Sequence, residues 1–580
     1  MYLFDIFRSF LPLHNPIGFG AVDFIELAIA LLLVVLVLVR ERIEPFALRL
    51  AERPVRCMLA LAGLAIVLRL ALLPTYPVPI ARGADDFSYL LLSDTLAHFR
   101  LANPTHPLHE FFETNFVLQQ PTYSSIYPIG PALPMALGQI VFHVPWVGVV
   151  LATAVFCSLC YWMLRGWTTS GWALIGGLIA IAEFGPLSYW TNSYWGGSVS
   201  AAAGCLVFGA LPRLRDRQRV RDAILLGLGL GLQMLSRPYE SLILDLAALA
   251  FVFLTPRRFV KVAAVVIVAA MPAVLLFALH NRAVTGSATT MPYMLSRYQY
   301  GVPTTFTFQP APVMPHVHLT ANQWLYHDGQ TAAHDTAGNF FGRLFRRAAF
   351  TRFFLLPPLF LAIPFFLLRL RERRYAWVAL ALGLFVAGSN FYPYFYPHYV
   401  AAAACLVLLV VVIGIERLGR INAMVARWLL ILCGAHFLFW YGLHATMDEP
   451  VLDALSAYDA WDTIPHGDPD RRIAIARQLD RAPGKQLVFV RYTTGHDYHE
   501  WLHNDADIDA ARVVMANDFG TAANTVLERY YPGRTPWLLE PDAIPPRMTL
   551  YRTPAEAPPT AAAPSTNAPN TNKMTMEQVR

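Results

Sequence analysis

Charge is what this sequence has least of. Only 14% of its 580 residues are Asp, Glu, Lys or Arg, and 56% are apolar, whereas a soluble domain carries roughly 25% charged residues. That balance excludes a soluble globular chain as the whole molecule and places most of it in lipid. The net charge of +6 is small, and no nucleic-acid partner is expected. Cysteine is scarce as well. All six, Cys57, Cys157, Cys160, Cys205, Cys405 and Cys433, fall inside apolar runs, so the polar loops and the C-terminal region contain no disulfides. The CxxC spacing of Cys157 and Cys160 reads as packing on a lipid-embedded helix and not as a redox pair. A cleavable signal peptide is not expected either, because the first apolar run has no A-x-A-like site and continues directly into "RER".

What the sequence does have is long apolar runs. A helix needs about 20 apolar residues to cross a ~30 Å hydrocarbon core. About twelve runs approach that length, near 21–40, 57–75, 145–165, 172–189, 197–211, 221–236, 239–255, 259–279, 351–369, 375–389, 398–416 and 428–446. A further Pro-rich stretch, 128–143, suits the membrane interface better than a span. Arginines set the orientation. They cluster after the first run (Arg40, Arg42, Arg49, Arg53, Arg56) and between 211 and 221 (Arg213, Arg215, Arg217, Arg219, Arg221). Further groups follow the seventh, ninth and eleventh runs (Arg257, Arg258, Lys261; Arg369, Arg371, Arg373, Arg374; Arg417, Arg420, Arg427). All of these fall on one side, the cytoplasmic side by the positive-inside rule. Arg343, Arg346 and Arg347 fall on the other and read as an amphipathic approach to the membrane.

Both termini and three large segments, 76–144, 280–350 and everything after about 447, then lie outside the cytoplasm. The expected architecture is an all-α polytopic membrane protein with a small C-terminal α/β extracytoplasmic domain. Its parts are an N-terminal extra span and cytoplasmic loop (1–56), a transmembrane catalytic domain (57–446), the α/β domain (447–552) and a disordered tail (553–580). Within the α/β domain, "KQLVFVRY", "ARVVMAND", "TPWLLEP" and "RMTLYR" read as strands and 521–530 as a helix. His496, His499 and His503, with Asp497 and Glu500, read as a solvated loop rather than a metal site. The aromatics of "SYWTNSYWGGS" read as an interfacial belt.

The stretch "ARGADDFSYLLLSDTLAHF" opens with two acids, Asp85 and Asp86. After them, Tyr89, Leu92, Leu96 and Phe99 form an apolar stripe opposite Ser88, Thr95 and His98, as in a helix lying at the membrane surface. One acid at such a helix start serves as a cap. Two explain less simply, because neighbouring side chains diverge by ~100° and paired carboxylates at a membrane face are costly to desolvate.

"ADDFSYLLLSDTLAHFRLANP", placed directly after a span, resembles the first external loop of the GT-C fold glycosyltransferases. In these an acidic pair opens an interfacial helix. "YPIGPALPMALGQIVF" resembles their Tyr-Pro segment. "LGLGLGLQMLSRPYES" is similar to a span ending in a basic residue at the outer face, and "YPHYVAAAACLVLLVVV" to a late span that begins with one. The resemblance covers roughly 57–446. The extra span at 21–40 departs from it, and the C-terminal domain matches no known carbohydrate-binding module.

The resemblance implies a polyprenyl-phosphate sugar as donor and a glycolipid, polysaccharide or protein as acceptor at the outer face of a bacterial inner membrane. An inverting displacement needs a base for the acceptor hydroxyl, a role that falls to Asp85. Asp86 would hold the acceptor, orient Asp85, or share a divalent cation (Mg²⁺ or Mn²⁺) with it. Arg237 in "SRPYE", His398 in "FYPYFYPHY", Arg282 and Arg297 are candidates for the donor phosphate, and Tyr127, Glu240 and Trp195 for the substrate lining. Two other readings stand beside this one: a polytopic transporter, which internal repeats and mid-bilayer polar groups would favour, and a surface-polysaccharide polymerase or ligase.

Overall fold

The computed structural model describes residues 21–253, 256–300, 306–309, 336–446, 468, 470–496 and 499–551. The tail 553–580, the centre of the 280–350 segment and Asp497 lie outside them. Except at 351–369, the apolar runs that predict spans are mainly helical, since in lipid each backbone polar group must be satisfied within its own segment. In chain order the helices are α1 (Ala21–Ala51), α2 (Pro54–Ala71), α3 (Ala84–Ala97), α4 (Ala132–Phe142), α5 (Pro145–Leu164) and α6 (Ser170–Phe184). There follow α7 (Gly197–Arg217), α8 (Val220–Ser236), α9 (Pro238–Phe253), α10 (Pro256–Thr285), α11 (Pro292–Tyr300) and α12 (Ala337–Ala348). Next come α13 (Arg373–Ser389), α14 (Ala404–Ile421), α15 (Ala423–Thr446), α16 (Arg472–Arg481) and α17 (Thr521–Tyr530).

The molecule is a multi-pass membrane protein, but the count of twelve spans is not reached by length and hydropathy. Among the described residues six segments meet both: Pro54–Ala71, Pro145–Leu164, Gly197–Arg217, Val260–Thr285, Pro397–Ile421 and Ala423–Thr446. The helices at the other expected spans include α6, α8, α9 and α13, of 15, 17, 16 and 17 residues. The run 351–369 is not one helix. Pro357, Pro358 and Pro364 divide it into 3-10 turns and a short α segment, because proline lacks the N–H a continuous helix needs. The stretch 128–143 forms only the 11-residue α4.

The main core lies among α5, α6, α7 and α14, around Phe156, Phe184, Trp190 and Phe208. All six cysteines are free and buried there or at its edge, which agrees with a packing role. Trp190, Tyr189, Thr191 and Asn192 are buried too, so most of "SYWTNSYWGGS" is core and not the expected interfacial belt.

The C-terminal strands fall where the sequence places them: β3 (Gln486–Val490), β4 (Val513–Asn517), β5 (Thr535–Glu540) and β6 (Arg547–Leu550), after a two-residue pair β1 (Val117–Leu118) and β2 (Ser124–Ser125) in the first large loop. The sheet order is β4-β3-β5-β6. β3 runs parallel to both neighbours, with Val488 opposite Met515 and Trp537, and β6 closes the edge antiparallel to β5. This sheet does not stand apart. One face shares a core with the first loop, where Leu91, Phe111, Phe112 and Val117 pack with Leu487, Phe489, Val514 and Leu527. The loop expected to be solvated is partly buried instead. His496 is buried against Asp542 (2.6 Å) and the buried Glu500 accepts the Trp501 and Leu502 N–H groups (3.0 Å each), while His503 stays exposed and stacks on Phe87 of α3 (centroids 4.1 Å apart).

Candidate active site

Helix α3 begins at Gly83, whose extended backbone (φ −85°, ψ 155°) lets the chain turn in from α2. The two acids then part. Asp86, at the third helical position, folds back, and its Oδ2 accepts the Arg82 and Gly83 N–H groups (3.3 Å each). Its Oδ1 accepts the Tyr194 N–H at 3.1 Å. Asp86 therefore caps α3 and ties it to the segment before α7. Burial pushes its carboxyl up to about 6, against the pull of those three N–H bonds, with Asp85 adding to the rise.

Asp85 points the other way, onto the wall of a cavity of about 880 Å³. The Tyr127 hydroxyl donates to its Oδ1, and the Tyr127 ring is held by stacking on Tyr89 (4.3 Å, 11°). Burial raises the Asp85 carboxyl above the usual range, and the Tyr127 bond and the Arg237 charge only partly offset that. A carboxylate so placed is a proton acceptor with its basicity increased.

Arg237 enters the same cavity from the break between α8 and α9. Pro238 ends α8, and Arg237 sits at its C-cap with its guanidinium over the Tyr399 ring, 4.3 Å from the centroid. Gly130 brings the first loop against this corner: its N–H donates to Leu235 O (2.8 Å), and a Cβ there would meet Ser236 Oγ at 2.6 Å. Glu240, Tyr127 and Trp195 line the cavity as well.

Of the sequence candidates, the structure thus gathers Asp85, Arg237, Glu240, Tyr127 and Trp195 around one space. His398 lies behind the wall, buried, with Nδ1 and its own N–H both on the Tyr189 hydroxyl (2.9 Å each) and its ring stacked on Tyr396 (5.7 Å). Arg282 and Arg297 are not among the lining residues. Both Asp86 oxygens accept backbone N–H groups, which turns that carboxylate away from the space that Asp85 faces. Among the described residues no group of three His, Cys, Asp or Glu side chains is arranged to hold a metal.

Other lining residues escaped the sequence reading. Arg343, Arg346 and Arg347 of α12 line the cavity instead of lying flat on the membrane, opposite Tyr392, Tyr394, Tyr396 and Tyr399. Arg347 also donates to Ser389 O (3.0 Å) and Tyr392 O, fixing the aromatic loop after α13. The arginine cluster and, 45 residues after Arg347, the Tyr-rich segment were each visible, but the fold that joins them was not. Arg69, inside an apolar run, is buried and donates to Asn192 Oδ1 (2.7 Å) and Tyr76 O (2.9 Å), anchoring the end of α2 that leads into α3. An arginine in a span was the signal.

Comparison with the known protein families finds no matching family model, and none of the curated proteins matches. Among solved structures the chain is similar to ArnT from Cupriavidus metallidurans in the apo state, with a TM-score of 0.49 and 12% identity, over 83% of this chain and 92% of that one. It is similar to the same protein bound to undecaprenyl phosphate, with a TM-score of 0.48, 12% identity and the same two coverages. A third likeness is to the oligosaccharyltransferase AglB from Archaeoglobus fulgidus in complex with an inhibitory peptide and a dolichol-phosphate, with a TM-score of 0.44 and 11% identity, over 83% of this chain and 69% of that one. Likeness at this level assigns no residue and no substrate.

Proposed function

We propose that this chain is an inverting membrane glycosyltransferase that moves a sugar from a polyprenyl-phosphate donor to a glycolipid, polysaccharide or protein acceptor at the outer face of a bacterial inner membrane. One observation carries the reading: a carboxylate of raised basicity, Asp85, and a guanidinium, Arg237, face a single cavity large enough for a sugar and a lipid phosphate. In the reaction the acceptor oxygen attacks the anomeric carbon while Asp85 takes its proton. The bond from that carbon to the phosphate oxygen breaks on the opposite side. Arg237 meets the negative charge that collects on the leaving phosphate, a role for which guanidinium geometry is suited. Tyr127 holds the Asp85 carboxylate in place, and Glu240 and Trp195 offer a polar and an aromatic contact to the sugar.

The cavity lies at helix ends, against α3, the α8–α9 break and α12, which favours an enzyme over a carrier with a mid-bilayer site. The test is transfer from a polyprenyl-phosphate sugar by the purified full-length protein in lipid. Asp85→Asn protein that folds normally should lose turnover by a factor on the order of 10²–10⁴. Near-normal turnover in that variant would remove Asp85 from the chemistry.

A further inference from the structure

Helix α8 carries a second cavity at its opposite end. Its 17 residues span about 25 Å. Arg237 lies at one end, facing the Asp85 cavity, and Arg219 and Arg221 lie at the other, lining a separate hollow of about 590 Å³. The floor of this hollow is apolar: Val55 and Met58 of α2, Leu159 and Trp162 of α5, and Leu225 of α8. Val55 is exposed at the edge, so the floor continues onto the lipid-facing surface of the bundle.

The rim is cationic. Arg165, Arg213, Arg217, Arg219 and Arg221 outnumber Asp216 and Asp222, and the acids do not neutralise them. Asp216 pairs with Arg215 at 3.0 Å, and Asp222 is 3.9 Å from Arg221, beyond hydrogen-bond reach. Arg213 is structural: it donates to Gly209 O and Trp162 O (2.6 Å each) and lies over the Trp162 ring at 4.2 Å. Gly166 keeps this corner closed, since a Cβ there would meet Pro212 Cγ at 2.8 Å. The floor is therefore fixed. The Arg217 and Arg219 guanidiniums have neither a carboxylate nor a hydrogen-bond partner among the described residues.

Free guanidiniums above an apolar floor that opens to lipid match a ligand with an anionic head and a hydrocarbon tail. A free anion would use the rim and gain nothing from the floor; a zwitterionic lipid would use the floor but be held less firmly at the rim. We propose that this hollow is a binding site for the phosphate of an anionic phospholipid, in the leaflet opposite the Asp85 cavity. The forked donors of Arg217 and Arg219 would engage the phosphate oxygens, and an acyl chain would lie along Met58, Val55 and Leu225. The proposal concerns retention of a lipid and does not depend on the transferase reading.

The test uses full-length protein in nanodiscs of mixed phosphatidylglycerol and phosphatidylcholine, with lipid retained after extraction counted by native mass spectrometry. Phosphatidylglycerol should be retained in preference. A basic residue beside an anionic lipid is worth ~1 kcal/mol, so Arg219→Gln should lower that preference by about fivefold and Arg217→Gln/Arg219→Gln by about 25-fold. The Arg217→Lys/Arg219→Lys protein keeps the loop charge, and with it membrane orientation, and should retain an intermediate preference. Two results would overturn the proposal: unchanged retention in both Gln variants, or displacement of the lipid by millimolar inorganic phosphate, which would assign the hollow to a free anion.

Discussion

At the scale of single residues, Asp85 and Asp86 divide two tasks that an acidic pair could have shared. Asp86 accepts three backbone N–H groups, and Asp85 accepts one phenol and faces open space. Asparagine at each position should therefore fail differently. Asp85→Asn keeps shape and stability and loses turnover. Asp86→Asn turns an amide N–H toward backbone donors, so stability should fall by about 1–3 kcal/mol, read as a lower Tm, with turnover surviving in the folded fraction. The pH dependence of Asp86 has a definite sign. Its folded value of about 6 lies above the ordinary 3.8, so between the two the folded state binds the extra proton. That contribution to stability is complete below the lower value and is lost as pH rises to about 6. In thermal unfolding, the Tm advantage of the wild type over Asp86→Asn should shrink across that window and stay level above it. For Arg237→Gln, donor binding should weaken more than acceptor binding, visible as a raised KM for the donor alone.

At the scale of elements, the C-terminal domain holds the helix that carries the acids. Arg82, just before α3, is paired with Asp470 (2.6 Å), and Arg472 reaches the Arg82 carbonyl (3.5 Å) and lies over the Trp501 ring (4.2 Å). At the other end of α3, Asp94 accepts the Ala506 N–H at 2.7 Å. Within the first loop, α3 is held by more than one apolar stripe. Ser88 and Thr95, on the face expected to be polar and open, are buried, Ser88 on Phe116 O (2.7 Å) and Thr95 with Asn103 (2.7 Å). Loosening the grip should misplace Asp85 without removing any group that touches substrate. His503→Ala with Asp470→Asn should lower kcat by about tenfold, within the range that small misplacements cost, and leave the donor KM unchanged. A fall in donor affinity at constant kcat would mean the domain contributes to binding instead.

For the whole molecule, the contact between Arg82 and Asp470 puts the first large loop and the C-terminal domain on one side of the bundle, and α8 puts Arg219 at the other end from Arg237. By the positive-inside rule the arginine bias predicts that the first side is extracytoplasmic. A single cysteine introduced at 85 or 480 should then react with a membrane-impermeant maleimide in intact cells, and one at 219 only after permeabilisation. Reaction of residue 219 in intact cells would reverse the topology, and with it the outer-face donor site.

The membrane character, the places of most helices, the C-terminal strands and the acidic pair were determined by the sequence, because each rests on local composition or period: an apolar run must satisfy its own backbone in lipid, and alternation marks a strand. Tertiary structure decided which acid meets the cavity. Neighbours on a helix diverge by ~100°, and the rotation of α3 is set by Tyr194 on one side and the C-terminal domain on the other, more than 100 and nearly 400 residues away in the chain. It decided as well that Arg343, Arg346 and Arg347 join Arg237 across one space, while His398 turns behind it onto Tyr189. No periodicity records where separate helices meet, and that meeting depends on side-chain packing between segments the sequence holds far apart.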